Sequence, residues 1–268
     1  MTPELLIAAA FVTPLAGAVL IAASHRKPNL REAVTLLTGA VLFACVLALT
    51  PEVLAGGRPE LHLAEIMPGL VLRFELEPLA MLFALIASGL WIVNSIYSIG
   101  YMRANKEKHQ TRFYVCFALA IASAIGIAFS ANLLTLFVFY EALTLITYPL
   151  VTHAGTDDAR RGGRIYIGLL VGTSIVFLLV AIVWTFVLAG TLEFTPGGIL
   201  GGTASDTLIA ILLALYIFGI GKAAVMPVHR WLPAAMVAPT PVSALLHAVA
   251  VVKAGVFTVV KVIVDGFC

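Results

Sequence analysis

Eight long apolar stretches separated by short polar segments organise this chain, lying near 3–24, 32–51, 78–101, 112–130, 132–152, 164–190, 206–226 and 241–264. Each approaches the roughly 20 residues that a helix needs to cross a hydrocarbon core. The pattern predicts eight membrane-spanning helices. Segment 228–238 is too short to span; with His229, Arg230 and Trp231 it suits an interface or a break between helices. The longest polar stretch, 52–77, has room for a small hairpin or an interfacial segment but not for a domain. The opening run MTPELLIAAAFVTPLAGAVLIAAS lacks the basic start of a cleaved leader and is expected to be a retained first span.

The charges between the stretches alternate. Loop 25–32 carries Arg26, Lys27 and Arg31; loop 102–112 carries Arg103, Lys106, Lys108 and Arg112; loop 153–164 carries Arg160, Arg161 and Arg164; Arg230 follows the seventh stretch. The intervening segments are acidic by comparison: 52–77 holds five Glu against Arg58 and Arg73, and 191–206 holds only Glu193 and Asp206. By the positive-inside rule the basic loops face the cytoplasm and both termini lie outside it. The expected location is a bacterial inner membrane.

Composition agrees with this class. The chain is 61% hydrophobic and 11% charged, against about 25% charged in soluble domains. A net charge of +2, with no basic patch interleaved with aromatics, gives no case for a nucleic-acid partner. Cys45, Cys116 and Cys268 show no CxxC or Cys/His spacing, so neither a metal nor a cofactor is expected, and no catalytic motif is present.

A few ionisable residues fall inside the apolar stretches. Glu141 is nine residues beyond Asn132, about 13 Å along a helix and near the midplane. Lys222 follows a long uncharged run, between Gly219 and Gly221 on one side and Pro227 on the other, where a helix break is expected. A Lys at the bilayer centre costs roughly 2.5–3.5 kcal/mol even on the lenient insertion scale. Broken membrane helices with buried ionisable groups are the usual form of a transporter ion site. Lys253 lies twelve residues after Pro241, about 18 Å into the last stretch; Pro239 and Pro241 mark a further break before it. His247, six residues earlier, points about 120° away from Lys253 on a uniform helix. Desolvation and neighbouring charge tune the proton affinity of such groups, and a Glu141–Lys222 pair that forms and separates would act as a proton-loading switch. The blander alternatives are a packing hydrogen bond for Glu141, a snorkelling Lys222 and a packed His247. Tyr140, Thr144 and Thr147 flank Glu141 and are expected at most to orient or hydrate it. Lys261, one turn from the end, is expected to snorkel to the interface.

The run GKAAVMPVHRWLPAAMVAPTPVSALLHAVAVVKAGVF, together with FVFYEALTLITYPLV and YSIGYM, resembles the antiporter-like membrane subunits of respiratory complex I, membrane-bound hydrogenases and multisubunit Na+/H+ antiporters. LLHAVAVVKAGVF leans toward the D-type subunits of the Na+/H+ antiporters. The resemblance covers roughly 73–265. It implies an all-α polytopic fold with a broken seventh helix, an N-terminal three-helix segment over 1–111 and a proton-conducting five-helix repeat over 112–268. It also implies that Glu141 modulates Lys222 and that protons pass on through His247 or Lys253. Ala234 stands where many complex I members carry an acidic residue in the WLPxAM motif. Family members continue into a second, inverted repeat, so another membrane polypeptide supplying that repeat is an expected partner, with protons as cargo and Na+ undecided. A redox-driven or CO2-hydrating complex using the same charges, and a structural subunit with a vestigial half-channel, are the rival expectations.

Overall fold

The computed structural model describes residues 2–67, 70–195, 197–200 and 205–267; Cys268 lies outside them. Helices occupy the apolar stretches: α1 (Pro3–Ala23), α2 (Pro28–Leu54), α3 (Pro78–Ala104), α4 (Gln110–Ala128), α5 (Leu133–Val151), α6 (Asp157–Ala189), α7 (Asp206–Gly219) and α8 (Thr240–Phe267). All but α7 are long and apolar enough to cross a membrane. The protein is a helical, polytopic membrane protein.

Several helix starts are set by local chemistry. Proline stands in the first turn of α1, α2, α3 and α8, where its missing N–H costs no helical bond. Asn132 caps α5 by accepting from Thr135 N–H at 2.8 Å, and Thr156 caps α6 by accepting from Ala159 N–H. These caps and prolines lie in polar loops, so α2 and α6 begin earlier than hydropathy alone predicts.

The 52–77 segment forms the small hairpin for which it has room. Strands β1 (Glu60–Met67) and β2 (Leu70–Glu75) pair antiparallel. The edge of β2 is covered rather than left open. Glu75 N–H donates to Phe129 O, Ala131 N–H donates to Arg73 O, and the 192–194 backbone pairs in turn with 131–133. Arg73 ties the layers together, reaching Glu193 at 2.5 Å and Glu60 at 2.9 Å. At the opposite end Arg103 pairs with Glu32, and Arg31 donates to Gln110 at 2.7 Å.

The central helix is α4, whose small-residue run FALAIASAIGIA packs against α1, α3, α5 and α8. Small side chains let backbones approach where lipid offers no hydrophobic drive. Outward faces of α1, α2, α3 and α6 expose Val19, Leu37, Val93 and Val187, as lipid-facing surfaces do.

α7 ends where two close backbone contacts demand glycine. A Cβ on Gly219 would lie 2.4 Å from Leu178 N, inside a π-helical turn of α6 over Ser174–Leu179. A Cβ on Gly255 of α8 would lie 2.2 Å from Ala223 N and 2.4 Å from Lys222 C. α8 therefore lies directly against the chain that leaves α7. Gly255→Val is expected to destabilise the protein by about 1–3 kcal/mol or more, as overpacking does. Thermal unfolding in detergent checks this, with the outward-facing Val256→Leu as a variant that leaves the midpoint unchanged.

Candidate functional site

Helical geometry stops at Ile220 and gives way to a single 3-10 turn over Gly221–Ala223, followed by Ala224 with φ +55°. Lys222 sits in this turn and is fully buried. Its backbone N–H donates to Tyr140 Oη at 3.0 Å. Its Nζ donates to Tyr140 O at 2.7 Å and Thr144 Oγ1 at 2.5 Å, and lies 3.2 Å from the centroid of the Tyr140 ring. Tyr140 and Thr144 are four residues apart and share one face of α5. They occupy two of the three ammonium donors and add a cation–π contact. Among the described residues no carboxylate forms an ion pair with Lys222.

Glu141 follows Tyr140 and is turned about 100° from it on α5. It is half-buried, and its Oε1 is buried without a hydrogen-bond partner. It lies within electrostatic reach of Lys222 but does not pair with it. The Glu141–Lys222 pair, expected from sequence to form and separate, is open in this conformation, because the face of α5 turned to the break belongs to Tyr140 and Thr144. These two residues hold the lysine itself rather than hydrating the glutamate.

The rest of the break is fixed by Trp231. This indole is fully buried and donates from Nε1 to Gly221 O at 2.9 Å. It also meets Tyr166 edge-on, and Tyr166 Oη in turn contacts Thr147 Oγ1 at 2.6 Å. Segment 228–238 consists of short helical turns, as its length suggests, with Pro227 immediately before the first. Its tryptophan serves the break rather than a membrane interface. Pro239 and Pro241 do not interrupt a span. They open α8, and Pro241 O accepts from Asn94 Nδ2 at 3.3 Å.

The interruption of α8 falls later, at Ala250 (φ −119°, ψ −67°), after a π-helical turn over Leu245–Val249 that includes His247. The uniform-helix angle between His247 and Lys253 therefore does not apply. His247 is half-buried with Nε2 buried and unpartnered. Lys253 is exposed, in an apolar groove with Leu82, Phe83, Ile86, Val256 and Phe257. Gly255 faces Lys222, and two helical residues turn the chain by about 200°, so Lys253 points away from the break. No hydrogen bond joins His247, Lys253 and Lys222 among the described residues.

Lys261 departs furthest from expectation. It is buried rather than snorkelling, ion-paired with Glu77 at the head of α3 and 3.6 Å from Asp265. Its Nζ also lies over the Phe194 ring. Only the long-range packing of α3 on α8 brings Glu77 to it. The one local signal is Asp265 four residues on.

Residues 130–266, from just before α5 to the end of α8, match the family model described as NADH:quinone oxidoreductase/Mrp antiporter, TM. The chain is 30% identical over 266 residues to a probable K(+)/H(+) antiporter A/B subunit of Rhizobium meliloti (strain 1021), covering 96% of this chain and 26% of that one. It is 31% identical over 194 residues to a putative antiporter subunit mnhA2 of Staphylococcus aureus (strain JH9), covering 71% of this chain and 24% of that one. Among solved structures it resembles the Mrp complex from Dietzia sp. DQ12-45-1b, with a TM-score of 0.76 at 29% identity over 96% of this chain and 28% of that one. It shares its fold with the membrane-bound sulfane sulfur reductase, an archaeal respiratory membrane complex, with a TM-score of 0.81 at 22% identity over 94% of this chain and 52% of that one. The chain spans about a quarter of the length of the two curated relatives, whose names are of the A type rather than the D type. The family match takes in the α5 face, the broken α7 and the interrupted α8, just over half of the chain; this protein belongs to the NADH:quinone oxidoreductase/Mrp antiporter transmembrane family.

Proposed function

We propose that this chain carries part of a proton-transfer path in a multisubunit cation/proton antiporter, with Lys222 as the group that is loaded and unloaded. One observation carries the proposal: a fully buried lysine on a helix break, held by neutral dipoles alone, with an unpartnered carboxylate oxygen close by. Removing one partner of a buried ion pair is strongly destabilising. Neutral partners leave Lys222 free of that constraint and let it exchange a proton without disrupting a salt bridge. Glu141 then acts as the switch: its ionisation favours a charged Lys222 through space, and its neutralisation releases that hold.

The names of the relatives support the antiport assignment, one of them being a probable K(+)/H(+) antiporter component. The conducting unit is assigned to 112–268, the support being that the family match lies within it. His247 and Lys253 continue the path, and the remainder comes from outside these residues, from a second repeat docked on the surface of α3 and α8. Its support is Lys253, a cation in an otherwise apolar groove that calls for a polar partner once embedded. Na+ is one candidate for the exchanged cation. The alternation of basic loops supports a bacterial inner membrane location with both termini outside the cytoplasm.

Lys222→Ala is expected to abolish coupled exchange while the complex still assembles. Dequenching of a pH-sensitive dye in inverted vesicles measures this, and undiminished exchange would sink the proposal. Thr144→Val removes one of the two hydrogen bonds to the ammonium, whose worth of about 1.5 kcal/mol corresponds to roughly a tenfold slower exchange. Glu141→Gln is expected to slow exchange more than Thr147→Val, which removes a hydroxyl bonded to Leu143 O and Tyr166 but not to Lys222. Equal rates in those two variants would remove Glu141 from the switch.

A further inference from the structure

A polar cavity of about 420 Å3 opens at the end of the bundle that carries the basic loops. It lies between the α3–α4 loop and the α5–α6 loop, away from Lys222. Lys106, Lys108, His109 and Arg112 line it, with Glu107 as the one acid. Arg112 is anchored by donating to His153 O at 3.2 Å. α4 begins here over 19 residues without a side-chain cap, so its leading N–H groups stand free at this end.

His153 supplies an independent sign of a ligand. Its side chain is only 1% exposed, it lines the cavity, and neither Nδ1 nor Nε2 has a hydrogen-bond partner. Glu107 Oε2, its nearest acid, is 4.0 Å away, and the Lys108 backbone lies close by. Burial, and then the Arg112 charge, hold the imidazole below its ordinary pKa. A neutral ring keeps one N–H to donate. A buried imidazole with only the Lys108 backbone close to it, helix N-terminal amides and three permanent cations against one acid together describe a place for a compact, multiply accepting anion.

We propose that this cavity binds a phosphate group, brought either by the headgroup of an anionic membrane lipid or as free phosphate. Helix ends at the bilayer surface place it at headgroup depth, and basic pockets between membrane helices are suited to such headgroups. The oxygens would face Lys106, Lys108 and the His153 N–H, with α4 pointing its positive end at the charge.

The test uses the full chain in phosphatidylcholine nanodiscs containing a minor fraction of phosphatidylglycerol. Spin-labelled forms of the two lipids report which is immobilised. Wild type is expected to select phosphatidylglycerol. The exposed double variant Lys106→Gln/Lys108→Gln is expected to lose that selectivity by about tenfold or more. Arg26→Gln/Lys27→Gln, at the same end but outside the cavity, is expected to retain it. His153→Leu is expected to weaken selection in the same direction; should it fail to fold, the lysine double variant still decides. Added inorganic phosphate, followed by phosphorus NMR line broadening, separates the sources. Broadening in wild type that disappears in Lys106→Gln/Lys108→Gln assigns the cavity to free phosphate, whereas lipid selection without broadening assigns it to the headgroup. Selectivity unchanged by the lysine variant, with no phosphate broadening, would overturn the proposal.

Discussion

A lysine ammonium buried in a membrane protein must be solvated by the protein, and much of the local architecture around Lys222 serves that need. The solvation comes from one carbonyl, one hydroxyl and one aromatic face, all on α5. Bringing them within reach requires Lys222 to leave the helix, because a side chain leaving a regular α7 would not also present its own N–H to Tyr140 Oη. The break in turn exposes backbone groups that lipid cannot satisfy. Trp231 covers the Gly221 carbonyl, and the 3-10 turn closes through Ala224 N–H to Gly221 O. The irregular backbone is tolerated because protein surrounds it on several sides.

Much of the fold was legible in sequence because hydropathy over about 20 residues is a strong signal and because membrane helices satisfy their own backbone. Helix types, the interruption near Gly219 and the room for a hairpin all follow from local composition. The helix ends were less legible, since Pro28 and Thr156 start helices within polar loops. The interruption at Ala250 was not legible at all. No glycine or proline marks it, and it reflects how α8 meets α3 and the broken segment rather than any local propensity.

The candidate site divides along the same line. Lys222 and Glu141 stand out because charge in an apolar run is rare. Tyr140, Thr144 and Trp231 do not, since aromatic and hydroxyl residues are ordinary in membrane helices and gain meaning only through which face they share. The i, i+4 relation of Tyr140 and Thr144 was the available clue, and it separates them from Glu141 by one helical step. Lys261 shows the opposite error. Proximity to a helix end suggests escape to the interface, whereas Glu77, 184 positions earlier in the chain, keeps it inside.

Gly255 has a mechanical meaning as well as a steric one. Backbone touches backbone between α8 and the 3-10 turn, with no side chain in between to absorb a displacement. A shift of the turn that carries Lys222 is therefore passed to α8 as a push rather than as a change in charge. Lys253 is two residues from that contact, on the outward face, and Ala250 offers a pivot just before it. Any displacement of Lys222 would thus reach Lys253 through backbone contact, even though no hydrogen bond joins the two.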